Sequence, residues 1–129
     1  MRVLVVDDSR TAVYFLRTRL EEMGHEVVEA TTGAEAWEHL QRQPERIVIT
    51  DWMMPDMDGP ELCRRIRTLG LDPYTYVIVL TMKDGREDRL LALEAGADGF
   101  LPKPLDEREL ELYLRGAERV LAAQDAARA

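Results

Sequence analysis

Three aspartates, a threonine and a lysine sit where apolar runs of this sequence end. "RVLVV" (2–6) delivers Asp7 and Asp8, and "RIVIT" (46–50) delivers Asp51. "YVIVLT" (76–81) closes on Thr81, and "GFL" (99–101) leads to Lys103, directly before Pro104. Carboxylates of this kind, once gathered, hold a divalent cation through hard oxygen ligands. An ammonium among them acts as a compact positive charge. The stretch "IVITDWMMPDMDG" (47–59) adds a loop in which Pro55 and Gly59 shape a tight turn able to direct a backbone carbonyl inward. Singly, each residue has a plain structural reading. Asp8 or Ser9 caps a helix, Asp51 begins a turn, Thr81 is a strand residue and Lys103 a solvated charge. Jointly, five such residues on four apolar runs point to one site, provided that the fold brings the run ends to one rim.

The elements that must do this alternate. After the first strand, Val13, Leu16, Leu20 and Met23 recur at helical spacing and Gly24 ends the helix. "HEVVEA" (25–30) is a second strand. A helix over 34–43, with Trp37 and Leu40 inward, stops at Pro44. The third strand follows at 46–50, then a helix over 60–69 carrying Leu62, Ile66 and Leu69. The fourth strand is 76–81, with a helix over 86–95 ended by Gly96. A short fifth strand spans 99–101, and a last helix from near Asp106 carries Leu110, Leu114, Ala117 and Leu121 on one face. Five strand–helix pairs in strict alternation predict an α/β, doubly wound parallel sheet with helices on both faces. The strands are nearly pure Val, Ile and Leu, as expected when both sheet faces are covered. Ligands of such sheets sit at the carboxyl ends of the strands.

At 129 residues the chain suits one domain, and an apolar fraction of 46% supplies a core. The net charge of −8 argues against direct nucleic-acid binding, which needs clustered Lys and Arg. The single cysteine, Cys63, excludes an internal disulfide. The N-terminal apolar run is too short for a signal peptide or a membrane span, so a soluble, cytoplasmic protein is expected.

The motifs "VVDDS" (5–9), "DWMMPDMDG" (51–59), "LT" (80–81) and "GFLPKP" (99–104) carry a resemblance. The chain resembles the receiver domain of two-component response regulators along essentially its whole length. The resemblance implies a flavodoxin-like, five-stranded sheet of order 2-1-3-4-5. It makes Asp51 the phosphoacceptor, receiving a phosphoryl group from a sensor histidine kinase or phosphotransfer protein. It implies Mg²⁺, with Mn²⁺ able to substitute, held directly by Asp8 and Asp51, by Asp7 largely through water, and by the backbone carbonyl of Met53. Lys103, ahead of a cis proline bond, would meet the phosphoryl oxygens. Thr81 and Phe100 would be the switch pair that reshapes the surface of the fourth helix, fifth strand and fifth helix. The implied protein is a signalling switch and no enzyme beyond its own phosphotransfer and slow autodephosphorylation. Its partners would be the kinase, an output domain or partner protein, and a second copy on phosphorylation, without membrane or nucleic acid.

Other readings stay open. An aspartyl-phosphate-forming, metal-dependent phosphatase is the alternative, although such enzymes place the nucleophile after the first strand with a second acid two residues on, and here that strand gives "DDS". A flavin or nucleotide carrier would need a Gly-rich loop after the first strand. Phe100 is also readable as a plain core aromatic. Met82 departs from the small residue usual at its place in the family, and either covers the phosphoryl site or fills a gap. Trp52 is expected at the mouth of the site, with fluorescence responsive to metal. His25 and His39 stand apart from each other and from Cys63, which speaks against zinc. Gly99 replaces an acid found in many DNA-binding regulators, while Arg86, Arg89, Arg108 and Arg115 offer either an interaction face or solvated surface. Residues 1–123 are expected to form the receiver and 124–129 a C-terminal tail, either the end of a stand-alone receiver or the start of a linker to an effector.

Overall fold

The computed structural model describes residues 1–70, 73–82 and 85–128. Five strands, β1 (Arg2–Val6), β2 (Glu26–Ala30), β3 (Ile47–Asp51), β4 (Tyr76–Thr81) and β5 (Gly99–Pro102), alternate with five helices. These are α1 (Arg10–Glu22), α2 (Gly33–Arg42), α3 (Gly59–Thr68), α4 (Arg86–Glu94) and α5 (Glu107–Arg128). The strands form one parallel sheet of order β2-β1-β3-β4-β5. Expected boundaries shift by a residue at several ends, as in β3, which takes in Asp51.

Strand alternation sends successive side chains to opposite faces, and the two faces carry separate cores. Val3, Val5, Ile47, Ile49, Ile78 and Leu80 pack with Val13, Leu16 and Leu20 of α1 and with Leu110, Leu114, Ala117 and Leu121 of α5. Leu4, Val6, Val48, Val77 and Val79 pack on the other side with Ala36 and Leu40 of α2, Leu62, Cys63 and Ile66 of α3, and Ala92 of α4. Burying each Val, Leu or Ile among these stabilises by about 1.5–3 kcal/mol relative to leaving it exposed. Double burial is why the strands lack the polar alternation of a half-exposed sheet.

Helix ends follow local chemistry. Ser9 caps α1 by accepting a hydrogen bond from the Ala12 N–H at 3.3 Å, so the cap is Ser9 and Asp8 is left for other work. The chain then leaves α1 through Gly24 at φ 90°, a conformation that side chains disfavour. Asp58 caps α3, with Pro60 in its first turn. Trp37 is half-buried against the second core, with the Arg65 guanidinium over its ring at 6.0 Å. α5 runs without a break to Arg128, and near its end Asp125 receives two hydrogen bonds from Arg46, at 3.0 and 3.3 Å. Ala129, the last residue of the expected tail, lies outside the described residues.

Candidate functional site

The sheet register brings the polar strand ends together. Val6 lies opposite Thr50, so Asp7 and Asp51 are the next residues on adjacent parallel strands. Asp51 lies opposite Leu80, and Thr81 opposite Pro102. The Lys103 N–H bonds the Thr81 carbonyl at 2.8 Å, which extends this ladder one step into the loop after β5. Adjacent strands are about 4.8 Å apart, so the four ends converge on one rim.

The side chains converge as well. Asp7, Asp51 and Thr81 are buried and Asp8 is exposed. Asp7, Asp8 and Asp51 each offer a carboxylate oxygen within 4.8 Å of the others'. The Lys103 ammonium stands between two of them, 3.1 Å from Asp7 Oδ2 and 3.1 Å from Asp51 Oδ1. The Lys103–Pro104 peptide bond is cis. Beside Asp7 and Asp8 a cavity of about 430 Å³ opens between Arg10, Tyr14 and Arg17, giving access from solvent.

Burial raises the Asp51 pKa, and the neighbouring Asp7 charge raises it further; hydrogen bonding and charge from Lys103 only partly offset this. For Lys103, burial works against the charged form, but Asp7 and Asp51 outweigh it and hold the ammonium above the ordinary lysine range. One lysine therefore serves two buried carboxylates, and a third stands beside them. Hard, convergent, anionic oxygens with excess negative charge are the donor set that Mg²⁺ requires, so the residues present fit that ion.

The loop after Asp51 is tightly held. The Gly59 N–H bonds the Trp52 carbonyl at 2.8 Å, and a Cβ on Gly59 would stand 2.7 Å from the Asp51 carbonyl oxygen. Only glycine fits there. Asp56, which in sequence reads only as one more loop acid, accepts hydrogen bonds from the Gly33 and Ala34 N–H groups at 3.0 and 2.7 Å. Those partners lie 23 and 22 residues away, beyond any local spacing signal.

Two expectations need correcting. Trp52 is not at the mouth of the site: it is 4% exposed and packs in the second core, edge-on to Phe100 with ring centroids 6.3 Å apart. Met82 does not fill a gap, because 82% of its surface faces solvent. Phe100 is half-buried on the same core and borders a cavity of about 480 Å³ with Arg89, Leu93 and Tyr113. The Tyr113 ring closes on Gly99, where a Cβ would approach it to 3.1 Å. His25 faces Glu118 and His39 faces Glu45 at separate places. The Cys63 thiol is buried, and burial pushes its pKa up to about 11.

Residues 3–115 match the response regulator receiver domain. The chain belongs to this family. It is 40% identical over 127 residues to the response regulator MprA of Mycobacterium leprae (strain TN), covering 98% of this chain and 55% of that protein. It is 34% identical over 118 residues to the alkaline phosphatase synthesis transcriptional regulatory protein PhoP of Bacillus subtilis (strain 168), covering 92% of this chain and 48% of the relative. The receiver thus spans about half the length of these curated relatives. The solved structure of the chemotaxis protein CheY4 of Vibrio cholerae superposes with a TM-score of 0.83 at 30% identity, covering 90% of this chain and 97% of that one. A receiver is a phosphorylation-dependent signalling domain, and these comparisons do not favour the phosphatase alternative. Receivers bind Mg²⁺ at an aspartate cluster, and Asp7, Asp8 and Asp51 form such a group here. Among the described residues no helix is long and apolar enough to cross a membrane.

Proposed function

We propose that Asp51 is the phosphoacceptor of a cytoplasmic signalling switch. The observation that carries this reading is the Lys103 ammonium held 3.1 Å from the buried Asp51 carboxylate on one side and from Asp7 on the other. Asp8 and Asp51 would bind Mg²⁺ or Mn²⁺ directly, Asp7 through water, and Met53 through its carbonyl. A bound divalent cation supplies the charge neutralisation that lets a carboxylate approach a phosphoryl group. An Asp51 oxygen attacks the phosphorus of a phosphohistidine on a sensor kinase or phosphotransfer protein. The P–N bond breaks, its electron pair stays on the imidazole nitrogen, and that nitrogen takes a proton from water. The product is an acyl phosphate on Asp51.

Lys103 then pairs with a phosphoryl oxygen instead of the free carboxylate, and the Thr81 hydroxyl donates to another. Movement of Thr81 would vacate space near Phe100, and the ring would then turn inward. That movement would reshape the α4–β5–α5 surface as a population shift, by no more than the phosphoryl contacts differ between the two states. An output domain or partner protein would read that surface, and a second copy of the chain is a candidate reader. We take residues 1–123 as the receiver and 124–129 as the start of a link to an effector; α5 runs through this stretch as far as Arg128.

Incubation with acetyl phosphate and Mg²⁺ tests the reading. The native chain should gain one phosphoryl group, and Asp51→Asn none. Rapid multiple turnover of the donor, or equal uptake by Asp51→Asn, would contradict it.

A further inference from the structure

The loop between β3 and α3 has two anchors. At its base, Gly59 bonds the Trp52 carbonyl. At its apex, the Asp56 carboxylate bridges the Gly33 and Ala34 N–H groups at the start of α2, at 3.0 and 2.7 Å. These are two of the four donors that a helix N-terminus cannot satisfy internally. They are held here by a residue from another segment, in addition to the helix's own cap at Thr32. The next residue, Met57, packs on the second core and leaves no room for a side chain at position 33, where a Cβ would stand 2.3 Å from Met57 Cγ. The slight burial of Asp56 opposes its charge, yet the N–H groups of Ala34, Gly33, Asp56 and Met57 together outweigh this and keep the carboxyl below the ordinary range. The carboxylate that makes the bridge is therefore ionised at neutral pH. Met53 lies between the two anchors, three residues before Asp56.

We propose that Asp56 is a positioning residue of the metal site: by fastening the loop apex to α2, it fixes the backbone that presents the Met53 carbonyl and so sets the affinity of the pocket for a divalent cation. This rests on the proposed function, in which that carbonyl is a ligand. A carbonyl held in place loses less conformational freedom on binding than one on a free loop.

The test is direct binding of Mn²⁺, read from the electron paramagnetic resonance signal of the free ion without any phosphodonor. Asp56→Ala should weaken binding at least threefold, and Asp56→Asn, which retains one acceptor, should fall between it and the native chain. Thr32→Ala removes the other α2 cap without touching the loop; it should lower the melting temperature but bind Mn²⁺ as the native chain does. Native affinity in Asp56→Ala would overturn the positioning role, as would equal losses in the Ala and Asn variants, which would point to charge alone. A comparable loss in Thr32→Ala would place the effect in helix stability and overturn it too. A native chain without saturable Mn²⁺ binding would instead fail the metal pocket itself, and the proposal with it.

Discussion

Asp51 combines two properties that pull against each other. In the proposed role it must be ionised to attack a phosphoryl group, yet burial and Asp7 raise its pKa. A carboxylate whose folded-state pKa is raised contributes stability below its unfolded pKa, and that contribution is lost as pH rises through the folded value. Asp51→Asn should therefore raise the melting temperature of the metal-free protein at neutral pH. The gain should vanish below the ordinary carboxylate range, and parallel thermal melts across pH check this. The Lys103 ammonium stays charged throughout that window, since its pKa is raised. The gathering of Asp7, Asp8, Asp51, Thr81 and Lys103 at one rim was readable beforehand, because each follows or closes an apolar run. Trp52 was misread because it follows an acid. Strand alternation sends it to the face opposite Asp51, and the second core lies on that face. The gap-filling reading of Met82 failed because the residue follows the end of β4 and is 82% exposed.

At the scale of elements, position is set by packing and by one glycine. Leu114→Ala on α5 should destabilise by about 2–5 kcal/mol, because the leucine is fully buried between helix and sheet; urea unfolding measures it. Gly59→Ala would push a Cβ to 2.7 Å from the Asp51 carbonyl, which is backbone and cannot swing away. The expected loss is about 1–3 kcal/mol, together with weakened Mg²⁺ binding because the shift falls on the peptide of Asp51 itself. A substitution that lowered neither would show that the loop does not constrain Asp51. Strand–helix alternation was legible to within a residue or so, since β1, β3 and β4 are doubly buried and their composition says so. The order of the strands was not. Periodicity leaves it open, and it came from the family resemblance. The Asp56 bridge was invisible for a similar reason, as hydrogen bonds across 22 and 23 residues leave no local pattern.

At the scale of the whole molecule, the sheet places excess negative charge at one rim, and cation binding should be linked to folding. An ion that binds the native state stabilises it by RT ln(1 + [L]/Kd), about 2.7 kcal/mol at a hundredfold excess over Kd. Mg²⁺ should therefore raise the melting temperature of the native chain but not that of Asp8→Asn, and equal shifts would remove Asp8 from the site. At the opposite end, the Arg46–Asp125 pair ties the last turns of α5 to the start of β3. The pair is partly exposed, so Asp125→Ala should change stability by no more than about 1 kcal/mol.

The central claim is that one side chain carries the phosphoryl group. Borohydride trapping tests it most directly, because it reduces an acyl phosphate to the corresponding alcohol and so marks the acceptor as homoserine. After incubation with acetyl phosphate and Mg²⁺, peptide mapping by mass spectrometry should find homoserine at position 51 alone. Homoserine at position 7 or 8, or none at all in a protein that retains phosphoryl label, would contradict the account.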